Sequence, residues 1–208
     1  MHDIKTMRNL KPSYNKSLIF TRLGYDKNRT ELSTEIRNDV ERLLAKTENI
    51  LDITAAFRIV NILEIKAPRV MLEDNTLLVG QKLSELLNNC EQALLMLATG
   101  GKRIMEYLAR LQKAGHMSEA IIVDAAASEI TDAALDVVMA SVAQQLRPKG
   151  LALTRMRFSP GYEDFDITQQ ADFFRLLKAE SYGLTLNDAY LLIPEKSVFA
   201  IAGIGGAG

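Results

Sequence analysis

A long stretch of small apolar residues in the middle of the chain constrains the fold more than any other feature. Residues 118–146, SEAIIVDAAASEITDAALDVVMASVAQQL, are helical in pattern and rich in alanine, and Pro148 and Gly150 follow them. Alanine is the strongest helix former, whereas proline and glycine are typical of helix ends. The stretch therefore predicts a long helix that ends near Pro148, and its small side chains indicate close packing in the interior of the domain.

Helical and strand-like segments surround this helix without a regular βαβ alternation. Helical spacing of apolar residues appears in 34–52, 82–89, 102–113 and 168–179. Strands are expected in 55–65, 69–80, 188–197 and 198–204, while 91–101 is an apolar run that closes on two glycines. The pattern predicts an α+β fold in a single domain, with a twisted antiparallel or mixed sheet flanked by long helices.

The same pattern suggests where the domain begins and ends. Residues 1–17 look like a loosely attached N-terminal extension, and residues 18–204 contain all the periodic segments. Residues 205–208 are expected to form a flexible Gly-rich tail. At 208 residues the chain is long enough to bury a substantial core.

Composition excludes several classes of protein. The chain is 48% apolar and 25% charged, as in an ordinary globular domain, and its net charge of −1 provides no basic surface for nucleic acid. No apolar run approaches the roughly 20 residues that span a bilayer, and the N-terminus lacks the apolar core of a signal peptide. Cys90 is the only cysteine, so no internal disulfide can form, which suits the reducing cytoplasm.

Metal and hydrolase chemistry have little support in the sequence. The chain has two histidines, His2 at the terminus and His116 in a turn between two helical patterns. One cysteine and two histidines make a metal site improbable. No nucleophile motif of the form G-x-S-x-G is present, and no residue is assigned a catalytic role.

The run LATGGK, residues 97–102, resembles a strand, a glycine turn and a helix start. Such a turn can place helix N-terminal amides against an anion. The spacing is neither that of G-x-G-x-x-G nor that of the phosphate-binding loop. A tight structural turn is the alternative interpretation.

A second candidate is TRMRFSPGY, residues 154–162, where strand alternation puts Arg155 and Arg157 on one face. At the end of a strand, the fork of Arg157 could hold a carboxylate bidentately. Pro160 and Gly161 make the next backbone rigid and unobstructed, and Tyr162 could cover a ligand. The alternative is an ion pair between the arginine and the acidic residues of the turn at 163–164.

Read as R-x-S-P-G-Y followed by an acidic turn and a helix, this segment resembles the signature of the activation (reactivation) domain of cobalamin-dependent methionine synthase, above all its stand-alone homologues. Other segments resemble that family in the same order. They are RLGYDKNRTELSTEI (22–36), AAFRIVNILEI (55–65), CEQALLMLATGG (90–101), the run from Tyr107 to Asp136, and GLTLNDAYLLIPEKSVFAIAGI (183–204). The resemblance covers roughly residues 18–204.

The resemblance implies a function and a set of contacts. S-adenosylmethionine, bound by such a domain, donates the methyl group that traps reduced cobalamin, while flavodoxin or a ferredoxin-like donor supplies the electron. Arg157 would bind the ligand's carboxylate, and the backbone of Ser159, Pro160 and Gly161 would contact its adenosyl or amino-acid part. Tyr162 would line the pocket. On the long helix, Asp132 would hold the ammonium or stabilise the sulfonium.

The resemblance also implies a partner. The chain has no D-x-H-x-x-G, the motif by which corrinoid proteins present a histidine to cobalt. Cobalamin would therefore be carried by a separate corrinoid-bearing methionine synthase or methyltransferase. This chain would be an accessory protein that binds S-adenosylmethionine and supports reductive methylation of the partner's cobalamin.

Two alternatives stay open. After Tyr162 the family often has a proline, whereas this chain has Glu-Asp-Phe-Asp at 163–166. Those carboxylates disfavour a ligand carboxylate, which favours a module that docks a corrinoid protein but no longer binds S-adenosylmethionine. An unrelated small-molecule enzyme or structural domain is the third reading. It would gain support from a pocket near LATGG and far from Arg157.

Overall fold

The computed structural model describes residues 3–24 and 34–206. His2, the approach to the first long helix at 25–33, and residues 207–208 of the predicted tail lie outside this range. The helices are α1 (Lys16–Arg22), α2 (Thr34–Ile50), α3 (Gln81–Leu87), α4 (Lys102–Lys113), α5 (Met117–Leu146) and α6 (Gln170–Leu176). The strands are β1 (Lys5–Met7), β2 (Thr54–Lys66), β3 (Arg69–Leu72), β4 (Leu77–Val79), β5 (Gln92–Thr99), β6 (Leu151–Leu153), β7 (Thr185–Leu186), β8 (Leu192–Ile193) and β9 (Ser197–Gly206).

Seven strands form one antiparallel sheet in the order β4-β3-β2-β5-β9-β6, with β1 added beside β2. The long strand β2 holds the sheet together, because β1 pairs with its first half and β3 with its second half. A bulge between Ile62 and Glu64 interrupts the pairing of β2 with β3, and bulges bend a strand. The pair β7 and β8 forms a separate two-stranded sheet. The predicted α+β fold with an antiparallel sheet is confirmed.

Both faces of the central strands are buried, which explains why β5 is apolar from Ala93 to Ala98. Leu94 and Met96 pack with α5, α2 and α1 on one face of the sheet. Leu95 and Leu97 point to the other face, where α3 and α6 supply the packing. A third cluster joins α2, α4 and α5 beyond the sheet. The sheet is therefore the middle layer of the domain.

Helix α5 is the long interior helix that the sequence predicts. It runs for 30 residues, and fourteen of these are buried, six of them alanines. Ala125, Ala126 and Ala134 pack on the sheet in the cluster that contains Leu94 and Ala200. Small residues on both sides let the helix axis approach the strands closely. The predicted close packing is confirmed.

Residues near both ends of the chain, which were predicted to lie outside the domain, are strand residues of the sheet. Lys5 to Met7 form β1 and pair with Ala55 to Phe57 of β2, so this part of the predicted extension is a sheet strand. Gly205 and Gly206, predicted as part of a flexible tail, are the last residues of β9 and pair with Ala152 and Leu151. A Cβ on Gly205 would come 2.7 Å from the carbonyl oxygen of Asn89, so close packing explains this glycine.

The expected strand at 188–197 is wrong for most of its length, since only Leu192 and Ile193 are extended before β9 begins at Ser197. The side chain of Asn187 accepts hydrogen bonds from the amides of Ala189 (3.0 Å) and Leu191 (2.9 Å). Asparagine side chains that bond the backbone in this way form turns that compete with strand pairing. The first part of the segment is therefore the loop of a short hairpin, and Leu192 and Ile193 form the second strand of that hairpin.

The expected helix at 168–179 is shorter than predicted. A 3-10 turn at Ile167–Gln169 leads into α6, which ends at Leu176, and a second 3-10 turn follows at Ala179–Tyr182. Lys178 lies between the two with a φ of 50°, in the left-handed region that ends a helix. α6 and the second 3-10 turn bury apolar residues in the same cluster. The helical spacing of apolar residues therefore continues across the break.

The acidic residues at 163–166 build the starts of two helical segments. Asp164 accepts hydrogen bonds from the amides of Gln81 and Lys82, the first residues of α3, the second at 3.3 Å. Asp166 accepts from the Thr168 amide at 2.8 Å and caps the turn before α6. Two of the three carboxylates that depart from the family pattern therefore have a structural role.

We expect Asp164→Ala to lower the free energy of unfolding by about 1 kcal/mol, because it leaves helix N-terminal amides without an acceptor. Chemical denaturation measures this loss. The control is Glu163→Gln, which removes a neighbouring exposed charge and should change stability by less than about 0.5 kcal/mol. Equal losses in the two variants would contradict the capping role.

Candidate functional site

The predicted strand through Arg157 is interrupted. After β6, the Thr154 hydroxyl accepts a hydrogen bond from the amide of Gly203 at 3.0 Å, in place of a backbone partner. Pairing with β9 resumes only at Phe158, which exchanges two backbone hydrogen bonds with Ile201 at 2.9 and 2.8 Å. Arg157 thus lies in an irregular segment between two points of attachment to the same strand.

The guanidinium of Arg157 is held by two carboxylates of α5. Its Nη2 donates to Asp132 Oδ2 at 2.7 Å, and its Nη1 donates to Asp136. The two aspartates are one helical turn apart, which places them on the same face. The arginine therefore pairs with α5, not with the acidic turn after it. Burial alone would lower the pKa of Arg157, but Asp132 and Asp136 outweigh it and hold the pKa above its usual value.

This ion-pair cluster joins the edge of the sheet to the long helix. Only 20% of the Arg157 side chain is exposed, against 43% for Asp132 and 64% for Asp136. A partly buried pair contributes more than an exposed one, because water screens it less. In this arrangement the arginine fixes the position of Asp132, and its binding of a ligand carboxylate stays a prediction.

The segment after Arg157 forms a compact turn. The amide of Gly161 donates to the carbonyl of Phe165 at 2.7 Å, and the amide of Phe165 donates to the carbonyl of Tyr162 at 2.9 Å. Gly161 has a φ of 99°, which favours glycine. Phe165 is fully buried against Phe173, with ring centroids 6.1 Å apart, and anchors the turn in the core. The turn is therefore rigid although Tyr162 is exposed.

One wall of an apolar groove is built from this turn. The groove has a volume of about 320 Å³, and its lining includes Ser159, Pro160 and Tyr162 from the turn together with Leu191 and Val198. We call it the outer groove.

A smaller and more polar cavity adjoins it. The inner cavity has a volume of about 210 Å³ and lies between α5 and the start of β9. Its lining includes Thr131 and Asp132 from α5 and Lys196 from the residues before β9. The two share four lining residues, which are Tyr162, Glu195, Ser197 and Val198. The groove and the cavity therefore form one continuous site.

Lys196 is a buried cation at the inner cavity. Its side chain is 10% exposed, and its Nζ donates to Asp124 Oδ1 at 2.7 Å and to Ser128 Oγ at 2.9 Å. A buried ammonium is costly unless it is paired, and α5 supplies both partners. The second cation in the lining is Arg22, which pairs with the buried Glu129 at 3.1 Å.

Thr131 also lines the inner cavity, although its hydroxyl oxygen is itself inaccessible to solvent. The residue is 2% exposed, and its Oγ1 has no hydrogen-bond partner among the residues that the structure describes. A Cβ on Gly100 would come 3.0 Å from this oxygen, 3.4 Å from the Cβ of Lys196 and 2.7 Å from a Leu51 methyl group. Gly100 therefore keeps open the space around Thr131 and Lys196.

The LATGGK segment forms a tight turn beside the inner cavity. Gly101 has a φ of 77°, and its amide donates to Thr99 Oγ1 at 3.2 Å. The Gly100 amide donates to the carbonyl of Lys196 at 2.7 Å, which attaches the turn to the residues before β9. The turn thus supports the cavity, and the same cavity contains Asp132, the partner of Arg157. The two candidate regions of the sequence meet at one site.

Most of the predicted site residues therefore lie together. Asp132, Ser159, Pro160 and Tyr162 line the continuous site, and Gly161 shapes its turn. Arg157 contacts Asp132, but Arg157 itself is not among the described lining residues of the outer groove or the inner cavity.

Sequence reasoning missed the polar residues that line the inner cavity, chiefly Thr131, Lys196 and Ser197. A lysine directly before the apolar run SVFAIAGI was the available signal for Lys196, because a charge at the start of a buried strand needs a partner. Thr131 gave a weaker signal, as one hydroxyl among the alanines of the long helix.

Residues 3–24 and 34–206 contain no group of three or more His, Cys, Asp or Glu side chains placed to hold a metal ion. None of the helices in these residues combines the length and apolarity needed to cross a membrane.

Comparison with solved structures identifies a protein with the same fold. No protein-family model and no curated protein matches the sequence. Thirteen chains of solved structures match, and among them is the crystal structure of the MetH reactivation domain bound to AdoHcy. Its TM-score to this chain is 0.70 at 14% sequence identity, and the match covers 97% of this chain and 78% of that one. The chain therefore has the fold of the MetH reactivation domain, and the predicted structural resemblance is confirmed.

We expect Arg157→Met to lower the free energy of unfolding by about 1 kcal/mol, the upper range for a partly exposed ion pair, because Asp132 and Asp136 then repel each other without a cation. Thermal and urea unfolding measure this loss. Adding Asp132→Asn and Asp136→Asn to Arg157→Met should recover part of it. Arg155→Met, which removes an exposed neighbouring charge, is the control. Equal losses in both single variants would contradict the role of the cluster.

Proposed function

We propose that this chain binds S-adenosylmethionine in the outer groove and inner cavity and acts as an accessory protein in the reactivation of cobalamin. The observation that carries the proposal is the placement of the Ser-Pro-Gly-Tyr turn against Asp132 at a single site, within the fold of a domain whose crystal structure holds AdoHcy. The two volumes, about 320 and 210 Å³, suit a ligand of this size.

The lining of the site fits the two chemical parts of the ligand. Pro160, Tyr162 and Val198 offer apolar surface to a nucleoside, and Tyr162 can stack on the adenine. Asp132 and Glu195 place carboxylates at the inner cavity, where they complement an ammonium or a sulfonium.

The proposed chemistry belongs to the ligand and to a partner. S-adenosylmethionine supplies an electrophilic methyl group, and the chain binds and orients it. The acceptor would be the cobalamin of a separate corrinoid-bearing methionine synthase or methyltransferase, reduced by a flavodoxin-like or ferredoxin donor. Two exposed apolar side chains at the mouth of the outer groove, Tyr162 (68% exposed) and Leu191 (48%), support a protein surface there.

A second candidate is a docking module that contacts the corrinoid protein without binding S-adenosylmethionine. One observation favours it, because Asp132 and Asp136 already occupy the Arg157 guanidinium that the resemblance assigns to the ligand carboxylate. The acidic turn supports it less than its composition suggests, since Asp164 and Asp166 cap helical segments.

Calorimetric titration tests the first proposal. We expect saturable binding of S-adenosylmethionine and of AdoHcy, with a rise in Tm, because a ligand that binds only the native state stabilises it. Tyr162→Ala should weaken binding about tenfold, through loss of roughly 1–3 kcal/mol of stacking on the base. Tyr190→Ala is the matched control, since Tyr190 is an exposed tyrosine outside the described linings. Equal affinities of the two variants would contradict the assignment.

A reductive methylation assay separates the two candidate functions. The purified chain is added to a corrinoid protein with S-adenosylmethionine and a reductant, and the absorbance of methylcobalamin is followed. Faster methylation that Tyr162→Ala slows supports the accessory role. Association with the corrinoid protein without binding of S-adenosylmethionine would instead favour the docking module.

A further inference from the structure

We propose that Glu195 makes the site prefer the sulfonium ligand S-adenosylmethionine to AdoHcy, whose sulfur atom carries no charge. This inference rests on the proposed function and adds a specificity role to it. Glu195 lies outside the Ser-Pro-Gly-Tyr turn, on the segment that precedes β9.

The connectivity of the ligand determines where its sulfur atom lies. In the proposed function the nucleoside occupies the outer groove and the amino-acid part occupies the inner cavity, and the sulfur atom links these two parts. The sulfur therefore lies where the groove and the cavity meet. The residues that line both are Tyr162, Glu195, Ser197 and Val198.

Glu195 is the one charged residue among these four. The Ser197 hydroxyl donates to Thr99 Oγ1 at 2.8 Å, and Val198 is apolar. Glu195 is exposed, and its side chain forms no ion pair or hydrogen bond with any residue that the structure describes. Its negative charge is therefore available to a cation at the junction of the groove and the cavity.

The other carboxylate of the combined lining is already paired. Asp132 accepts a hydrogen bond from Arg157 Nη2 at 2.7 Å, and the arginine neutralises part of its charge. Asp132 also lines the inner cavity but not the outer groove. This position suits the ammonium of the amino-acid part, which S-adenosylmethionine and AdoHcy share, and leaves the sulfonium to Glu195.

The two cations that line the inner cavity do not offset Glu195. Lys196 pairs with Asp124 at 2.7 Å, and Arg22 pairs with Glu129 at 3.1 Å. Each of these cations has its own carboxylate, whereas Glu195 has no cation among the described residues. The junction is therefore negatively charged, which favours a cationic ligand atom over a neutral one.

The backbone on both sides of Glu195 is held in place. Pro194 and Lys196 are buried, and the carbonyl of Lys196 accepts a hydrogen bond from the amide of Gly100 at 2.7 Å. Only the Glu195 side chain must be ordered when a ligand binds, and ordering few groups reduces the entropic cost of binding.

Methyl transfer removes the charge that Glu195 recognises. The S–CH3 bond breaks and its bonding pair stays on sulfur, while the reduced cobalt of the partner supplies the electron pair of the new Co–CH3 bond. The sulfonium becomes a neutral thioether, so its attraction to Glu195 is lost. The site therefore retains the methyl donor and releases the demethylated product.

Calorimetry with three ligands tests this assignment. They are S-adenosylmethionine, AdoHcy and sinefungin, in which a carbon that bears an ammonium group replaces the sulfonium. The unaltered protein should bind S-adenosylmethionine about fivefold more tightly than AdoHcy, the scale of one exposed ion pair. Glu195→Gln should weaken both cationic ligands about fivefold and change the affinity for AdoHcy by less than about twofold.

Two further variants and the salt dependence serve as controls. Glu195→Asp keeps the charge and should retain most of the preference for S-adenosylmethionine. Glu180→Gln removes an exposed carboxylate outside the described linings and should leave all three affinities unchanged. Raising the salt concentration should reduce the preference of the unaltered protein, because salt screens an exposed charge.

The outcomes distinguish this assignment from the proposed function. If Glu195→Gln weakens all three ligands equally, or leaves the preference for S-adenosylmethionine intact, the assignment is overturned while the proposed function stands. If the unaltered protein binds none of the three ligands, the proposed function fails and the assignment fails with it. The Tm of each variant shows whether it is folded.

Discussion

The close packing of α5 on the antiparallel sheet is the constraint on which the rest of the structure depends. Three alanines of the helix (Ala125, Ala126 and Ala134) share a buried cluster with apolar side chains of β5 and β9, and the helix contributes to this cluster from Ala125 to Leu146. This contact brings Asp132 beside the irregular segment that contains Arg157, and Thr131 beside Lys196. The candidate site lies at the border between the two layers, where polar groups can reach solvent.

Ion pairs at that border position the site. Arg157 joins the sheet edge to α5, Arg22 joins α1 to α5, and Lys196 joins the start of β9 to α5. Each cation meets at least one carboxylate from the long helix, so α5 supplies the negative charges that hold the surrounding segments. Such pairs fix geometry more than they add stability.

The sequence pattern did not predict β1 or β6 of the central sheet. It predicted the long helix and the regions of β2, β3, β4 and β9, while the family resemblance implied that Asp132 and the Ser-Pro-Gly-Tyr turn share one site. These features depend on local periodicity or on a recognisable order of motifs. It failed at residues 188–197, where the side chain of Asn187 turns the backbone and prevents a strand. It also missed the partners of Arg157 and the role of Lys196. Ion pairs between residues distant in sequence leave no periodic signal, and only the fold brings them together.

The central claim is that one adenosyl ligand occupies the outer groove and the inner cavity together. A crystal structure of the chain with AdoHcy tests it most directly. The account predicts the adenine beside Tyr162 in the outer groove and the amino-acid part of the ligand at Asp132 in the inner cavity. A ligand bound elsewhere on the molecule, or crystals soaked at saturating AdoHcy with no ligand in this site, would contradict it.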